Sequence, residues 1–405
     1  MEIADLRVAL FSGNYNYVRD GANQALNRLV DFLLRQGASV RVYAPEVRVP
    51  AFAPTGDLVG VPAVPIPFRS EYRFPLGLSA ANRADLARFA PTVLHLASPD
   101  PTTHSALTWA ERRNLPVLAS VHTRFETYPR YYGLAFAEPW FETMLRRFYN
   151  RCDALVAPSE SMVEVLRAQG MNQDIGIWSR GVDRTIFDPG RRDTAWRRSL
   201  GMADDELVVG FLGRLVMEKG LDVFADTIAQ LRARGVRHKV LVIGKGPAGT
   251  WFAERVPEAR FTGILTGAEL GRATASMDVL LNPSVTETFG NVTLEAMASG
   301  VPVIAARATG STSLVADNVT GQLVEPGNAA AFADAIAAYA ADRALRQAHG
   351  AAGEVRSRAF GWDAVNGAVA DTYLRLVTAR DAVRARLRPA PSAAHASSVR
   401  PSRSR

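Results

Sequence analysis

Glu287 and Glu295 bracket the string Thr-Phe-Gly-Asn-Val-Thr-Leu, and the residues between them indicate what two carboxylates would do there. The run after Gly290 predicts a helix over Val292–Ser299 beginning near Asn291, which leaves Glu287 in the loop before it and Glu295 roughly one turn inside. Gly290 allows close backbone approach, and the unpaired N–H groups of the first turn (Asn291, Val292) point at whatever covers the helix end. The ligand such a site suits is polyhydroxylated and phosphorylated. One carboxylate can hold ribose hydroxyls, the other sugar hydroxyls, with a diphosphate between them. A bare pair of acids would fit equally well as residues favoured by the helix dipole; the surrounding Thr-Glu-Thr-Phe-Gly-Asn-Val-Thr-Leu-Glu-Ala-Met-Ala-Ser-Gly string sets this pair apart.

A second loop, Gly213-Arg214-Leu-Val-Met-Glu-Lys219-Gly220, puts two cations just ahead of a predicted helix. Arg214 offers a bidentate fork to a phosphate, Lys219 a compact charge, and the helix start adds free N–H groups. In isolation the same spacing also describes a solvated basic loop. His122 ends an apolar run, Val117–Val121, where a neutral imidazole could bond a sugar hydroxyl or guide an acceptor. Taken alone, a histidine after a strand is more often structural. Gly244-Lys-Gly246-Pro-Ala-Gly249 follows a strand and has dinucleotide-fingerprint spacing, but Pro247 interrupts it and no acid follows the next strand to hold a ribose. We read Gly244 and Gly246 as the floor of a nucleotide pocket, with Thr262-Gly263-Ile264 near the base. The sequence has no Asp-x-Asp, and its six histidines lack ligand-like spacing, so no metal site and no cofactor are expected.

The elements that would position these loops alternate regularly. Apolar runs at Leu6–Phe11, Ala38–Tyr43, Thr92–Leu96, Val117–Val121 and Ala154–Ala157 each precede loop and helical residues, and Gly176–Pro189 ends that half. A second series comprises Leu207–Phe211, Val240–Ile243, Arg260–Thr262, Val279–Asn282, Val301–Ala305 and Gly321–Val324. Such alternation predicts α/β architecture with two doubly wound parallel sheets, whose ligands lie at the carboxyl ends of the strands. The expected division is residues 1–184, residues 185–360, a final helix within 361–388 that crosses back to the first domain, and a low-complexity basic tail over 389–405.

With 405 residues, 48% hydrophobic and 21% charged, the chain exceeds one ordinary core. The formal charge of +7 is concentrated at the end: seven arginines between Arg380 and Arg405 stand against Asp381 alone, so the body is near neutral and no nucleic-acid partner is indicated. A single cysteine, Cys152, excludes an internal disulfide and fits a reducing compartment. The acidic start lacks a signal-peptide pattern and no apolar stretch reaches roughly 18 residues, so the expectation is a cytoplasmic protein, with possible peripheral attachment to the inner face of the cytoplasmic membrane. Phe125–Tyr149 mixes Tyr128, Tyr131, Tyr132, Phe136, Trp140, Phe141, Phe148 and Tyr149 with Arg130, Arg146 and Arg147, a composition that fits an anionic bilayer and a lipid acceptor as well as it fits core packing.

The chain resembles the retaining GT-B-fold glycosyltransferases of family four, which carry an E-x₇-E motif. Within it the sequence is most similar to GDP-mannose-dependent α-mannosyltransferases and sulfolipid synthases. The supporting strings are Asp20-Gly21-Ala22-Asn23, Val121-His122-Thr123 with Tyr131-Tyr132-Gly133, Trp178-Ser-Arg180-Gly181-Val182-Asp183 with Phe187-Asp-Pro189, and Glu287 to Glu295. The resemblance implies that Arg214 and Lys219 bind the diphosphate, Glu287 the donor sugar and Glu295 the nucleotide ribose, that Gly290, Asn291 and Val292 give backbone contacts, and that His122 stands at the reaction centre. It also implies that Gly13 or Gly21 lets the first-domain loop approach the phosphates; these two glycines depart from the family's tight pair. The implied reaction moves a hexose, mannose from GDP-mannose foremost, from a nucleotide-sugar to a lipid or glycolipid without a metal. A UDP-hexose or UDP-uronate donor, a nucleotide-sugar epimerase or hydrolase, and a catalytically silent sugar-nucleotide-binding partner are the alternatives.

Overall fold

A computed structural model describes residues 1–18, 21–66, 69–122, 136 and 138–387. The first half forms β1 (Arg7–Phe11), β2 (Ser39–Ala44), β3 (Asp57–Gly60), β4 (Ala63–Ile66), β5 (Arg69–Pro75), β6 (Val93–Leu96), β7 (Val117–Ser120), β8 (Ala154–Ala157) and β9 (Ile175–Ile177). The second forms β10 (Leu207–Leu212), β11 (His238–Ile243), β12 (Arg260–Gly263), β13 (Val279–Asn282), β14 (Val303–Ala306) and β15 (Gly321–Val324). One sheet runs β3-β2-β1-β6-β7-β8-β9, the other β12-β11-β10-β13-β14-β15, and every pairing within both is parallel. The central strands β6, β7, β8, β13 and β14 are buried along their whole length, because helices cover both faces; hence they read as mainly apolar runs, with His95, Ser120 and Asn282 as the exceptions.

Four strands are absent from the sequence expectation. β3 (Asp-Leu-Val-Gly) and the three-residue β9 are edge strands, only partly covered, and too short to carry a pattern. β4 and β5 form a separate antiparallel hairpin whose Pro65 disguises it as loop.

Strand order reverses between β1 and β6 in the first sheet and between β10 and β13 in the second. Loops diverge at such a point and leave a crevice beyond the carboxyl ends. The segments after β1, β10 and β13, which hold Gly13, Arg214 and Glu287, are thereby gathered at the two crevices.

The final helix, Trp362–Leu387, belongs to the first core. Its Val365, Val369, Tyr373 and Leu376, spaced at helical period, pack among Leu26, Leu29, Val30 and Leu33 of the Gly21–Arg35 helix. The chain therefore passes between the domains twice, and the two passages touch. Val182 donates its N–H to the Phe360 carbonyl at 2.9 Å, and a Cβ on Gly181 would stand 2.5 Å from the Trp362 ring and 2.8 Å from its Cα. Gly181→Ala must displace the second passage, so it should cost about 1–3 kcal/mol, as overpacking does. A urea titration reads this, and an unchanged midpoint would contradict the packing.

Candidate functional site

The loop after β10 and the loop after β13 are stitched together by backbone contact and a hydrogen bond. Gly220, at φ +71°, lies so close to the Pro283 carbonyl that a Cβ would come within 2.9 Å of it, and Thr286 Oγ1 donates to the Glu218 carbonyl at 3.1 Å. This seam brings the two sequence-predicted ions into contact, with Lys219 Nζ donating to Glu287 Oε1. Arg214, on the same loop, is exposed.

Beyond Glu287 the chain turns at Gly290, whose φ of +98° only glycine adopts cheaply, and enters the Asn291–Ala298 helix. Among the described residues no side chain caps this helix. The N–H groups of Asn291 and Val292 therefore remain free to bond an anion, aided by the helix dipole. Glu295 is partly open to the cleft yet deep enough that burial, and then the neighbouring Glu287 carboxylate, lift it from 4.5 to about 8.

The first domain reaches this helix end through Gly21, the first residue of its own helix: a Cβ there would lie 2.5 Å from Asn291 Nδ2. Gly13 instead faces its own domain. Its N–H bonds Ser98 Oγ at 2.8 Å, and a Cβ would meet Asp100 Oδ2 at 3.0 Å. Of the two glycines, then, Gly21 is the one that stands against the second domain.

Gly244 and Gly246 serve backbone packing. A Cβ on Gly244 would lie 1.9 Å from the Gly213 carbonyl oxygen and one on Gly246 2.2 Å from that of Leu215; Gly244 N–H also bonds the Gly263 carbonyl at 2.9 Å. These glycines let the loops after β10, β11 and β12 close up into one floor. Ile264 stands out from it, 69% exposed, and the Lys245 chain lies over Gly263.

His122 ends the first domain's contribution and is more tightly held than its sequence position suggests. Arg180 Nη2 donates to its Nδ1 at 2.8 Å, Ser120 Oγ lies 2.9 Å from its Nε2, and its carbonyl accepts from Thr288 Oγ1 at 3.3 Å across the cleft. Ser159 Oγ adds a second bridge, donating to the Thr288 carbonyl at 2.8 Å. Burial, then the Arg180 charge, then His95, hold the imidazole pKa well below its usual range. The ring is thus neutral with both nitrogens committed to protein groups. Sequence reasoning quoted Arg180 only within a string and missed Ser120 and Ser159; neighbouring chemistry at strand ends was the available signal for Ser120.

Residues 123–135, including Tyr128, Arg130, Tyr131 and Tyr132, and the tail over 388–405 lie outside the described residues. Of the rest of the aromatic stretch, Phe148 and Tyr149 are core, whereas Phe136 and Trp140 are 82% and 65% exposed. Among the described residues no group of three His, Cys, Asp or Glu is disposed to hold a metal, and no helix is long and apolar enough to cross a membrane.

Glu295 yields a pH prediction. Its carboxyl keeps its proton in the folded protein after the unfolded chain has lost it, so stability falls as pH rises from about 4.5 to about 8 and levels off above. Glu295→Gln should flatten that limb in pH-dependent denaturant melts; an unaltered slope would show that another group carries it.

Comparison with known proteins accords with this architecture. Residues 19–185 match the family model described as Glycosyltransferase Family 4, and residues 206–342 that described as Glycosyl transferases group 1. The GDP-mannose-dependent alpha-mannosyltransferase of Mycolicibacterium smegmatis is 35% identical over 79% of this chain and 84% of its own. Sulfoquinovosyl transferase SQD2 of Arabidopsis thaliana is 30% identical over 88% and 71%. Among solved structures, the sucrose-phosphate synthase of Thermosynechococcus elongatus superposes with a TM-score of 0.76 over 92% of this chain and 99% of that one, at 21% identity, a likeness of fold.

Proposed function

The chain belongs to glycosyltransferase family 4 and is a glycosyltransferase, and from that premise we propose that it transfers mannose from GDP-mannose to a lipid or glycolipid acceptor, with retained α configuration and without a metal ion. The observation that carries the donor side is the Lys219–Glu287 pair at the mouth of the uncapped Asn291–Ala298 helix. A diphosphate seated there meets the N–H groups of Asn291 and Val292 together with Arg214 and Lys219, which supply the positive charge a divalent ion would otherwise bring. Lys219 then turns from Glu287 to phosphate, and the freed Glu287 carboxylate accepts from sugar hydroxyls. Glu295, deeper in the helix, holds the ribose. Gly21 leaves room for the phosphates where any side chain would press on Asn291. Gly263 and Ile264 flank the base, with Gly244 as packed floor. Gly13 supports the first-domain loop.

The reaction that fits this arrangement proceeds on one face of the sugar. The bond from the anomeric carbon to the phosphate oxygen breaks as the acceptor oxygen bonds that carbon, and the departing β-phosphate oxygen takes the acceptor hydroxyl's proton. GDP leaves carrying it. The cations and helix N–H groups stabilise charge that grows on the phosphate, the main electrostatic contribution available here. Mannose and GDP are favoured by the name of the 35%-identical relative, and a lipid acceptor by the exposed Phe136 and by Trp140, exposed on the Glu138–Tyr149 helix that also carries Arg146 and Arg147. Such attachment would place the enzyme at the inner face of the cytoplasmic membrane.

Incubation with GDP-mannose and a lipid extract should release GDP and form mannolipid; activity with UDP-hexoses alone would transfer the reading to that donor class. Lys219→Ala and Glu287→Ala should each lower kcat/KM by about 10²–10³-fold with the fold intact by circular dichroism. Full activity in either would refute the assigned site.

A further inference from the structure

The hydrogen bonds to His122 continue inward. Ser120 Oγ lies 2.9 Å from His122 Nε2 and 2.8 Å from Nε2 of His95, and His95 Nδ1 lies 2.5 Å from the hydroxyl of Tyr373 on the final helix. His95 and Tyr373 are both fully buried, and Trp178 packs edge-on against both imidazoles, with ring centroids 5.7 and 5.1 Å away. Arg180, itself 5% exposed, closes the outer end on His122 Nδ1 at 2.8 Å.

One member of this line has a fixed direction. A guanidinium only donates, so His122 Nδ1 must accept, and the neutral ring must carry its proton on Nε2 and donate to Ser120 Oγ. We infer that Arg180 is a positioning residue that locks His122 in the neutral Nε2–H tautomer, with Ser120, His95 and Tyr373 holding the ring's angle from the final helix. His122 then meets the donor sugar as a fixed, uncharged surface, and its carbonyl stays aligned with Thr288 on the loop that carries Glu287. Protonation of the ring would place a cation against Arg180. Among the described residues, Arg180 and His95 are the charged or titratable groups that act on it, and burial has pushed His95 down to about 3, so neither relieves the conflict. The assignment rests on glycosyl transfer in this cleft for its purpose, but its geometry is testable without any donor.

Two-bond ¹H–¹⁵N correlation spectra of the full-length protein, with the His122 signals identified by their loss in His122→Gln, report the tautomer directly. The expected result is a neutral Nε2–H ring unchanged from pH 8 to pH 5.5. A proton on Nδ1, or titration near the ordinary value of 6.5, overturns the inference whatever the enzyme's substrate proves to be. Arg180→Met should release the ring to titrate and give kcat an acid limb absent from the unaltered enzyme, while Arg180→Lys, which restores a donor, should remove that limb. An Arg180→Met enzyme that turns over with an unaltered pH profile and tautomer would show that Arg180 only fills space. Should Arg180→Met fail to fold, the spectra of the unaltered protein still decide the matter.

Discussion

The contact of Gly181 with Trp362 is the constraint on which the rest of the molecule depends. Two Rossmann-like domains have no inherent reason to face one another; here the chain leaves the first domain beside the place where it returns. Around that point Trp178 Nε1 donates to Asn366 Oδ1 at 3.2 Å, Asn366 Nδ2 donates to the Arg28 carbonyl at 3.1 Å, and the Arg28 guanidinium lies 5.5 Å over the Trp362 ring. A side chain at 181 would wedge the two passages apart. With them in register, the first turn of the Gly21–Arg35 helix stands against that of the Asn291–Ala298 helix, and the cleft gains its second wall.

Within the cleft the charges suit an anion of the kind proposed. Burial and the neighbouring Glu287 carboxylate raise the Glu295 carboxyl, and among the described residues the cation Lys219 pairs with Glu287. Arg214 remains exposed toward the opening. A diphosphate that draws in Arg214 and Lys219 would rearrange this pairing, freeing Glu287 for hydroxyl groups. The uncapped helix start supplies dipoles that need no reorganisation when charge grows on the leaving phosphate, which is what makes them useful to catalysis.

Much of this was legible in the sequence because parallel strands covered on both faces must be continuously apolar, and loops beyond them must carry the polar chemistry. The Leu207–Leu212 strand, its basic loop, and the Glu287-to-Glu295 segment therefore announced themselves in order. Edge strands such as Asp57–Gly60 did not, since half-covered residues obey no such rule. The glycines at 244 and 246, read as the floor of a nucleotide pocket, are also where neighbouring loops touch, contacts with carbonyl oxygens that a spacing rule does not reveal. The Arg180–His122–Ser120–His95–Tyr373 line was invisible for another reason. Its inner partners, His95 and Tyr373, stand 278 positions apart and meet only because the final helix crosses back.

In the proposed mechanism a donor held over one helix end and an acceptor approaching the same face give retention, and the product records it. The anomeric one-bond ¹³C–¹H coupling of the mannosylated product formed from α-linked GDP-mannose measures that outcome most directly. An α linkage is expected; a β linkage would contradict retention.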